Sequence, residues 1–290
     1  MAETFGFIGL GVMGAPMAAH LGKKYSVRVF DIDKEKVKKT ANAEAAGSTA
    51  EAAKGADVVM LSLPNSETVE AVVIGTDGIA EVMEAGSVVI DTSTTDPDVS
   101  RHIAGELEKK GIEFLDSPVS GGEGGAKAGS LAVMVGGKKE VFDRCKPYLE
   151  TFGKSVVYIG ETGAGGTAKL VNQMIVAAEF AVISEGFALA KKNGLDLETL
   201  YKAIRGGWAA SAVMEVAAPG IINNDFKPGG SIDIIFKDLG YALKLARSGN
   251  VPVPMTSTAD EQMKTARSKG LGPYAQQILV KLWENEKSGN

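Results

Sequence analysis

Few folds can absorb the first thirty residues of this chain. Phe5–Ile8 is a short β-rich run that leads straight into Gly9-Leu10-Gly11-Val12-Met13-Gly14, a G-x-G-x-x-G turn. An apolar helical stretch, Ala15–Leu21, follows, and then a second β-rich run, Val27–Asp31. Such a turn on its own is a weak signal. Set between a strand and a helix inside a βαβ unit, it is the fingerprint of a dinucleotide site. The first glycine permits the tight turn, the second lets a pyrophosphate come close, and the third lets helix and strand pack tightly. The helix start offers unpaired N–H groups and a partial positive charge to the phosphates. The bland alternative is an ordinary βα turn that happens to carry glycines, and the complete βαβ unit argues against it.

The rest of the first 160 residues keeps this texture. β-rich runs recur at Val58–Leu63, Ser87–Asp91, Glu113–Asp116, Leu131–Gly136 and Ser155–Tyr158, separated mostly by Ala/Lys/Glu-rich helical stretches. Alternation of this kind predicts an α/β, Rossmann-type, doubly wound parallel sheet. Polar residues at strand ends, such as Asp31, Pro64 and Asp91, fall where the ligand crevice of such a sheet opens. Beyond Gly160 the texture changes. A glycine turn, Gly163–Gly166, opens one long helix from Thr167 to about Asn193, apolar on most faces and therefore expected to be buried. Further helices are predicted at Asp196–Arg205, Ala210–Ile222, Lys237–Ser248, Pro254–Lys269 and Tyr274–Asn285, with no convincing strand. The predicted domains are 1–162, dinucleotide-binding, and 163–290, all-helical.

Composition removes several classes. The 290 residues are 44% hydrophobic and 23% charged, as in ordinary globular proteins. A formal net charge of −5, with lysines scattered among acids, builds no basic face for nucleic acid. One cysteine, Cys145, allows no internal disulfide and no cysteine metal cluster, which fits a reducing cytoplasm. The start lacks a basic lead and an apolar signal core, and no uninterrupted apolar run approaches the ~20 residues of a membrane span. No metal site, nucleic-acid partner or membrane is expected.

The cofactor reading rests first on Asp31. A carboxylate there accepts hydrogen bonds from the adenosine ribose and repels a 2′-phosphate, and Ile32-Asp33 supplies no arginine to neutralise that phosphate. NAD is therefore preferred to NADP. Helix capping is the competing role, and Asp33, before Lys34, suits it better. Pro64-Asn65 and Thr92-Ser93-Thr94-Thr95 either reach the ribose and nicotinamide ends or cap helices, Asp96-Pro97 being a helix start.

A nicotinamide carries the hydride, so the protein must handle the proton. The two histidines, His20 and His102, lie on helices of the sheet domain without an obvious acidic orienter. Lys169 is the better candidate. It sits in the first turns of the long helix, three residues before Asn172 and so on a shared face. A cation near a helix start is disfavoured by the macrodipole, and apolar neighbours push the same way, so this lysine should lose its proton more readily than a free one. The alternative is a lysine that reaches out to solvent. Ser120, with the amides of Gly121 and Gly122, either grips a substrate carboxylate or simply forms a glycine turn.

Together the motifs resemble a known family. Phe7–Gly14 with Met17, His20 and Leu21 resembles the opening signature of the 3-hydroxyisobutyrate (β-hydroxyacid) dehydrogenase family. Asp116–Gly122 looks like its substrate-binding motif, Gly163–Asn172 its catalytic motif, and Phe236-Lys237-Asp238-Leu239 its late Lys-Asp motif. The likeness runs in order over essentially the whole chain. It implies Lys169 as acid/base, Asn172 orienting the substrate, and Ser120, Gly121 and Gly122 at the substrate carboxylate. It implies Leu63 and Thr94 as cofactor contacts, Lys237 near the nicotinamide, and a homodimer or homotetramer formed through the helical domain. Ala203–Gly207 and Asn224–Gly229 are most similar to the branch that reduces tartronate semialdehyde, although Trp208 is larger than that branch leads one to expect. Glyoxylate and succinic semialdehyde reductases are near relatives but usually carry an NADP signature unlike Asp31-Ile32-Asp33. The rivals are an imine reductase, which generally lacks this lysine, and a non-catalytic NAD sensor or scaffold.

Overall fold

β-Branched and aromatic runs become strands where both faces of the sheet are covered. The protein is described by a computed structural model over residues 3–227 and 229–284; Pro228 of the Asn224–Gly229 stretch, and Asn285 at the end of the last predicted helix, lie outside the described residues. The strands are β1 (Thr4–Ile8), β2 (Ser26–Phe30), β3 (Glu44–Ala45), β4 (Val58–Leu61), β5 (Val88–Asp91), β6 (Glu113–Asp116), β7 (Val119–Ser120), β8 (Leu131–Gly137) and β9 (Gly153–Gly160). They form one sheet in the order β3-β2-β1-β4-β5-β6-β8-β7, with β9 also paired to β8. From β3 to β6 every pairing is parallel, the doubly wound pattern that the sequence predicts. The far edge departs from it. β8 runs antiparallel to β6 and to β7, and β9 is parallel to β8. The two-residue strands β3 and β7 carry too little pattern to be read from sequence.

The helices of this part are α1 (Gly14–Leu21), α2 (Lys34–Lys39), α3 (Thr49–Ala53), α4 (Ser66–Ile74), α5 (Pro97–Glu108), α6 (Gly122–Ala128) and α7 (Lys139–Leu149). They bury one apolar set against each face of the sheet. One is built around Phe5, Phe7, Met17, Leu21 and Leu149, the other around Val59, Leu61, Val69, Ile103 and Leu107. Starts are set by local chemistry: Asp33, Asn65 and Asp96 each accept a backbone N–H of the helix they precede.

The chain then enters α8 (Ala164–Lys192), followed by α9 (Leu197–Ile204), α10 (Ala212–Ile222), α11 (Ile232–Ser248), α12 (Pro254–Ser268) and a 3₁₀ segment, Gln276–Trp283. Among the described residues this part holds no strand, only an isolated bridge between Ser231 and Ala275. α11 starts five residues before its predicted start, because Ser231 caps it through the Ile234 N–H. The chain divides into two compact units between Lys169 and Leu170, seven residues beyond the predicted boundary. The first turns of α8 pack on the strand ends and so belong with the sheet.

One expectation about α8 needs correction. By length and mean hydropathy it could cross a membrane, although no uninterrupted apolar run in it approaches the length of a span. It is nevertheless a core helix, with Phe180, Ile183 and Phe187 buried against Met214, Ala217 and Ile221 of α10. Yet it is not buried all round. Val171, Ile175, Val182 and Leu189 are each about half exposed or more.

Candidate active site

The glycine turn has the geometry of a phosphate cradle. Gly9 has φ +95°, a conformation open to glycine, and a side chain there would strike the Ser62 carbonyl. A side chain at Gly14 would strike the Gly9 carbonyl, so α1 can start this close to β1 only with glycine there. Gly11 differs: its missing side chain would meet nothing within 4 Å. That open space, before a helix with no acid in its first turn, is what an incoming pyrophosphate requires. Leu10 is buried, whereas Val12 is exposed and Met13 half-buried. The residues present fit a dinucleotide.

Asp31 holds this turn. Its Oδ2 accepts the Leu10 N–H at 2.7 Å and its Oδ1 the Asp33 N–H at 2.8 Å. A carboxylate has lone pairs left after two such bonds. Lys36 Nζ lies 3.9 Å from Oδ1, a neighbouring cation that sequence reasoning did not consider.

The polar residues after β4 and β5 mostly serve the scaffold. Asn65 caps α4 through the Thr68 N–H at 2.8 Å. Thr92 donates to the Leu61 carbonyl at 2.6 Å, Ser93 accepts the Leu63 N–H at 2.8 Å, and Thr95 donates to Asp91 at 2.6 Å. Asp91 itself is fully buried and does not line a crevice, correcting the expectation drawn from its place at a strand end. In the run from Asp91 to Pro97 only Thr94 remains partly exposed, while Pro64 is exposed and Leu63 half-buried.

Lys169 is 7% exposed, so the solvent-reaching alternative does not hold. Its helix begins under tension between burial and charge. Asp116, at the end of β6, accepts the Gly163 and Gly166 N–H groups at 2.8 and 2.7 Å. Burial pushes the Asp116 carboxyl up to about 6; the amide bonds oppose this and the neighbouring Asp91 adds to it. Sequence reading took Asp116 only as part of a motif. Ser120 ends β7 half-exposed, and Gly121 and Gly122 follow at φ +133° and +62°, conformations that glycine tolerates, leaving their backbone at the surface.

The second unit brings Asn172 and Lys237 into one polar chain. Asn172 Nδ2 donates to Gln173 Oε1 at 3.0 Å, Gln173 Nε2 donates to Asp238 Oδ2 at 2.6 Å, and Lys237 Nζ lies 3.1 Å from Asp238 Oδ1. Gln173 is the link that sequence reading missed; only its place beside Asn172 hinted at it. Trp208 is fully exposed on the α9–α10 loop. It edges an apolar cavity of about 650 Å³ that also includes Val182, Ile183, Phe187, Leu200 and Met214, but not Asn172 or Lys237.

The histidines stand apart. His20 pairs with the Lys127 carbonyl at 3.0 Å. His102 does have an acidic neighbour, Glu70 at 3.5 Å, which corrects the expectation that it lacks one. Both side chains of that pair are well exposed, where such contacts contribute little. Among the described residues no group of three or more His, Cys, Asp or Glu is placed to hold a metal.

The chain is similar to known proteins over nearly its whole length. The sequence matches the family model for the NAD-binding domain of 6-phosphogluconate dehydrogenase over residues 4–160, and that for the NAD-binding domain of NADP-dependent 3-hydroxyisobutyrate dehydrogenase over residues 163–283. It is 38% identical over 283 residues to 2-(hydroxymethyl)glutarate dehydrogenase of Eubacterium barkeri, covering 96% of this chain and 94% of that one. It is 35% identical to 2-hydroxy-3-oxopropionate reductase of Escherichia coli, covering 96% of each. The solved structure of Mycobacterium tuberculosis 3-hydroxyisobutyrate dehydrogenase with L-serine superposes with a TM-score of 0.88 at 32% identity, covering 98% of this chain and all of that one. With the glycine cradle, the strand-end carboxylates and the buried lysine in place, the chain belongs to the 3-hydroxyisobutyrate dehydrogenase family of nicotinamide-dependent β-hydroxyacid dehydrogenases.

Proposed function

We propose that this enzyme interconverts a small aldehydo acid and its hydroxy acid with NAD(H), tartronate semialdehyde and glycerate being the preferred pair. Methylmalonate semialdehyde, as in 3-hydroxyisobutyrate dehydrogenases, and glyoxylate or succinic semialdehyde are the alternatives. The observation that carries the reading is a lysine buried at the start of a helix, Lys169, on a dinucleotide-binding scaffold. When bound, a nicotinamide would provide the hydride chemistry at the substrate carbon. Lys169 gives the matching proton to the carbonyl oxygen in reduction and removes it in oxidation. Ser120 and the amides of Gly121 and Gly122 hold the substrate carboxylate. Asn172 orients the substrate, and Lys237 lines the site near the nicotinamide. Gly9, Leu10, Gly11, Val12, Met13 and Gly14 hold the pyrophosphate, Asp31 the ribose, and Leu63, Pro64 and Thr94 the rest of the cofactor. Residues 1–162 serve the dinucleotide and 163–290 the substrate and assembly. We assign the enzyme to the cytoplasm as a homodimer or homotetramer, supported by its buried free cysteine and by the exposed apolar side of α8.

The test is turnover of NADH with a panel of tartronate, methylmalonate and succinic semialdehydes and glyoxylate, in wild type and Lys169→Ala. Loss of about 10²–10⁴-fold in kcat with NADH still bound is the expected result for an acid/base group. Near-wild-type turnover of the best substrate by the variant would overturn the assignment. Lys36 favours a second reading, use of NADPH, because an ammonium beside Asp31 can meet a 2′-phosphate. The ratio of kcat/KM for the two cofactors, before and after Lys36→Ala, separates the two.

A further inference from the structure

The start of α8 is held by a carboxylate for which the proposed chemistry has no use. A helix leaves its first N–H groups unpaired, and a residue just before it usually satisfies them. Here the acceptor is Asp116, 47 residues before Gly163, and it is 2% exposed. The contact therefore ties a helix to a strand end instead of capping it locally. Burying a carboxylate for this task is costly when a neutral serine or asparagine would cap the same groups.

The surroundings are cut to fit. A side chain at Gly165 would strike the carbonyls of Asp116 and Met134, and one at Gly136 the Asp116 carboxylate and the Gly165 amide. A side chain at Gly166 would lie 3.3 Å from the Thr95 carbonyl and 3.7 Å from Asp116 Oδ2. The Gly165–Gly166 side of the first turn thus faces β6 and β8. Lys169 follows Gly166 by three residues and Gly165 by four, which puts it on the same side one turn along. Asp91, the register partner of Asp116 on β5, is held by Ser93 and Thr95 and forms the floor of this junction.

We propose that Asp116 is the positioning residue of Lys169. By binding the Gly163 and Gly166 amides it sets where α8 begins on the sheet, and so where the ammonium stands. This rests on Lys169 being the acid/base group, as proposed above.

A double-mutant cycle on the full-length protein tests it, with wild type, Asp116→Asn, Lys169→Ala and the double variant assayed on the best substrate of the panel. NADH binding and melting curves serve as fold controls. Asparagine keeps the shape but sets an NH₂ against one of the two amides. Misplacing a catalytic group by about 1 Å can cost ~10²-fold, so kcat of Asp116→Asn should fall by at least about 30-fold, with NADH affinity within about threefold. The double variant should be no slower than Lys169→Ala, because a residue acting through Lys169 then has nothing left to act on. An equal fold-loss in both backgrounds, or a kcat for Asp116→Asn within about threefold of wild type, overturns the proposal. An active Lys169→Ala instead overturns the acid/base assignment on which it rests. Should Asp116→Asn fail to fold, Gly166→Ala carries the test, since its methyl nudges the helix start by a few tenths of an ångström while favouring helix. A fall in kcat of about tenfold at unchanged NADH affinity supports the proposal, and an unchanged kcat overturns it.

Discussion

At the scale of single residues, the glycines of the first turn are not equivalent. Gly14 is demanded by backbone contact, whereas Gly11 leaves room for something outside the chain. Gly14→Ala should therefore cost at least about 2 kcal/mol, lowering the melting temperature by roughly 5 °C or more. Gly11→Ala should shift it by no more than about 2 °C, yet weaken NADH binding by about tenfold. Melting curves and cofactor fluorescence check both, and equal melting shifts would contradict the distinction. Asp116 carries a pH signature. Its carboxyl is raised to about 6 by burial, with Asp91 beside it. The protonated form is then favoured in the folded state, so this contribution to stability is complete below about pH 4 and is lost as pH rises through about 6. The loss is on the order of 2–3 kcal/mol. Between pH 5 and 7 the wild-type melting temperature should fall more steeply than that of Asp116→Asn; parallel curves would count against a raised pKa.

Among the elements, α8 shows how periodicity can mislead. Apolar residues on most faces predict burial, yet Val171, Ile175, Val182 and Leu189 remain exposed. They are spaced by four, seven and seven residues, the repeat of a seam between helices. The opposite side is filled by Phe180, Ile183 and Phe187 against α10. One helix thus carries an internal core face and an external apolar stripe, and composition treats the two alike. A second copy of the chain is the proposed cover. Val182→Glu would place a charge in that seam and should weaken association by at least about tenfold, read as a shift toward monomer in sedimentation or light scattering. An unchanged assembly would remove the seam from the interface.

Across the whole molecule there are two sets of cores, one around the sheet and one among the helices. NADH at about a hundred times its Kd should add about 2.7 kcal/mol to the state that binds it, raising a melting transition by roughly 5–10 °C. If two transitions appear, the sheet unit is the one that should move, and no shift at all would refute the cradle. The parallel, doubly wound character of the sheet, the glycine turn, the capping roles of Asp33 and Asp96 and the long helix were all legible in the sequence. Each depends on residues within one turn or one βαβ unit of each other, where period and spacing decide. The antiparallel edge at β8, the seating of α8 on Asp116, the Asn172–Gln173–Asp238–Lys237 chain and the exposed stripe were not. Each joins segments dozens of residues apart, or depends on what a helix face meets, and such meetings exist only once the chain has packed.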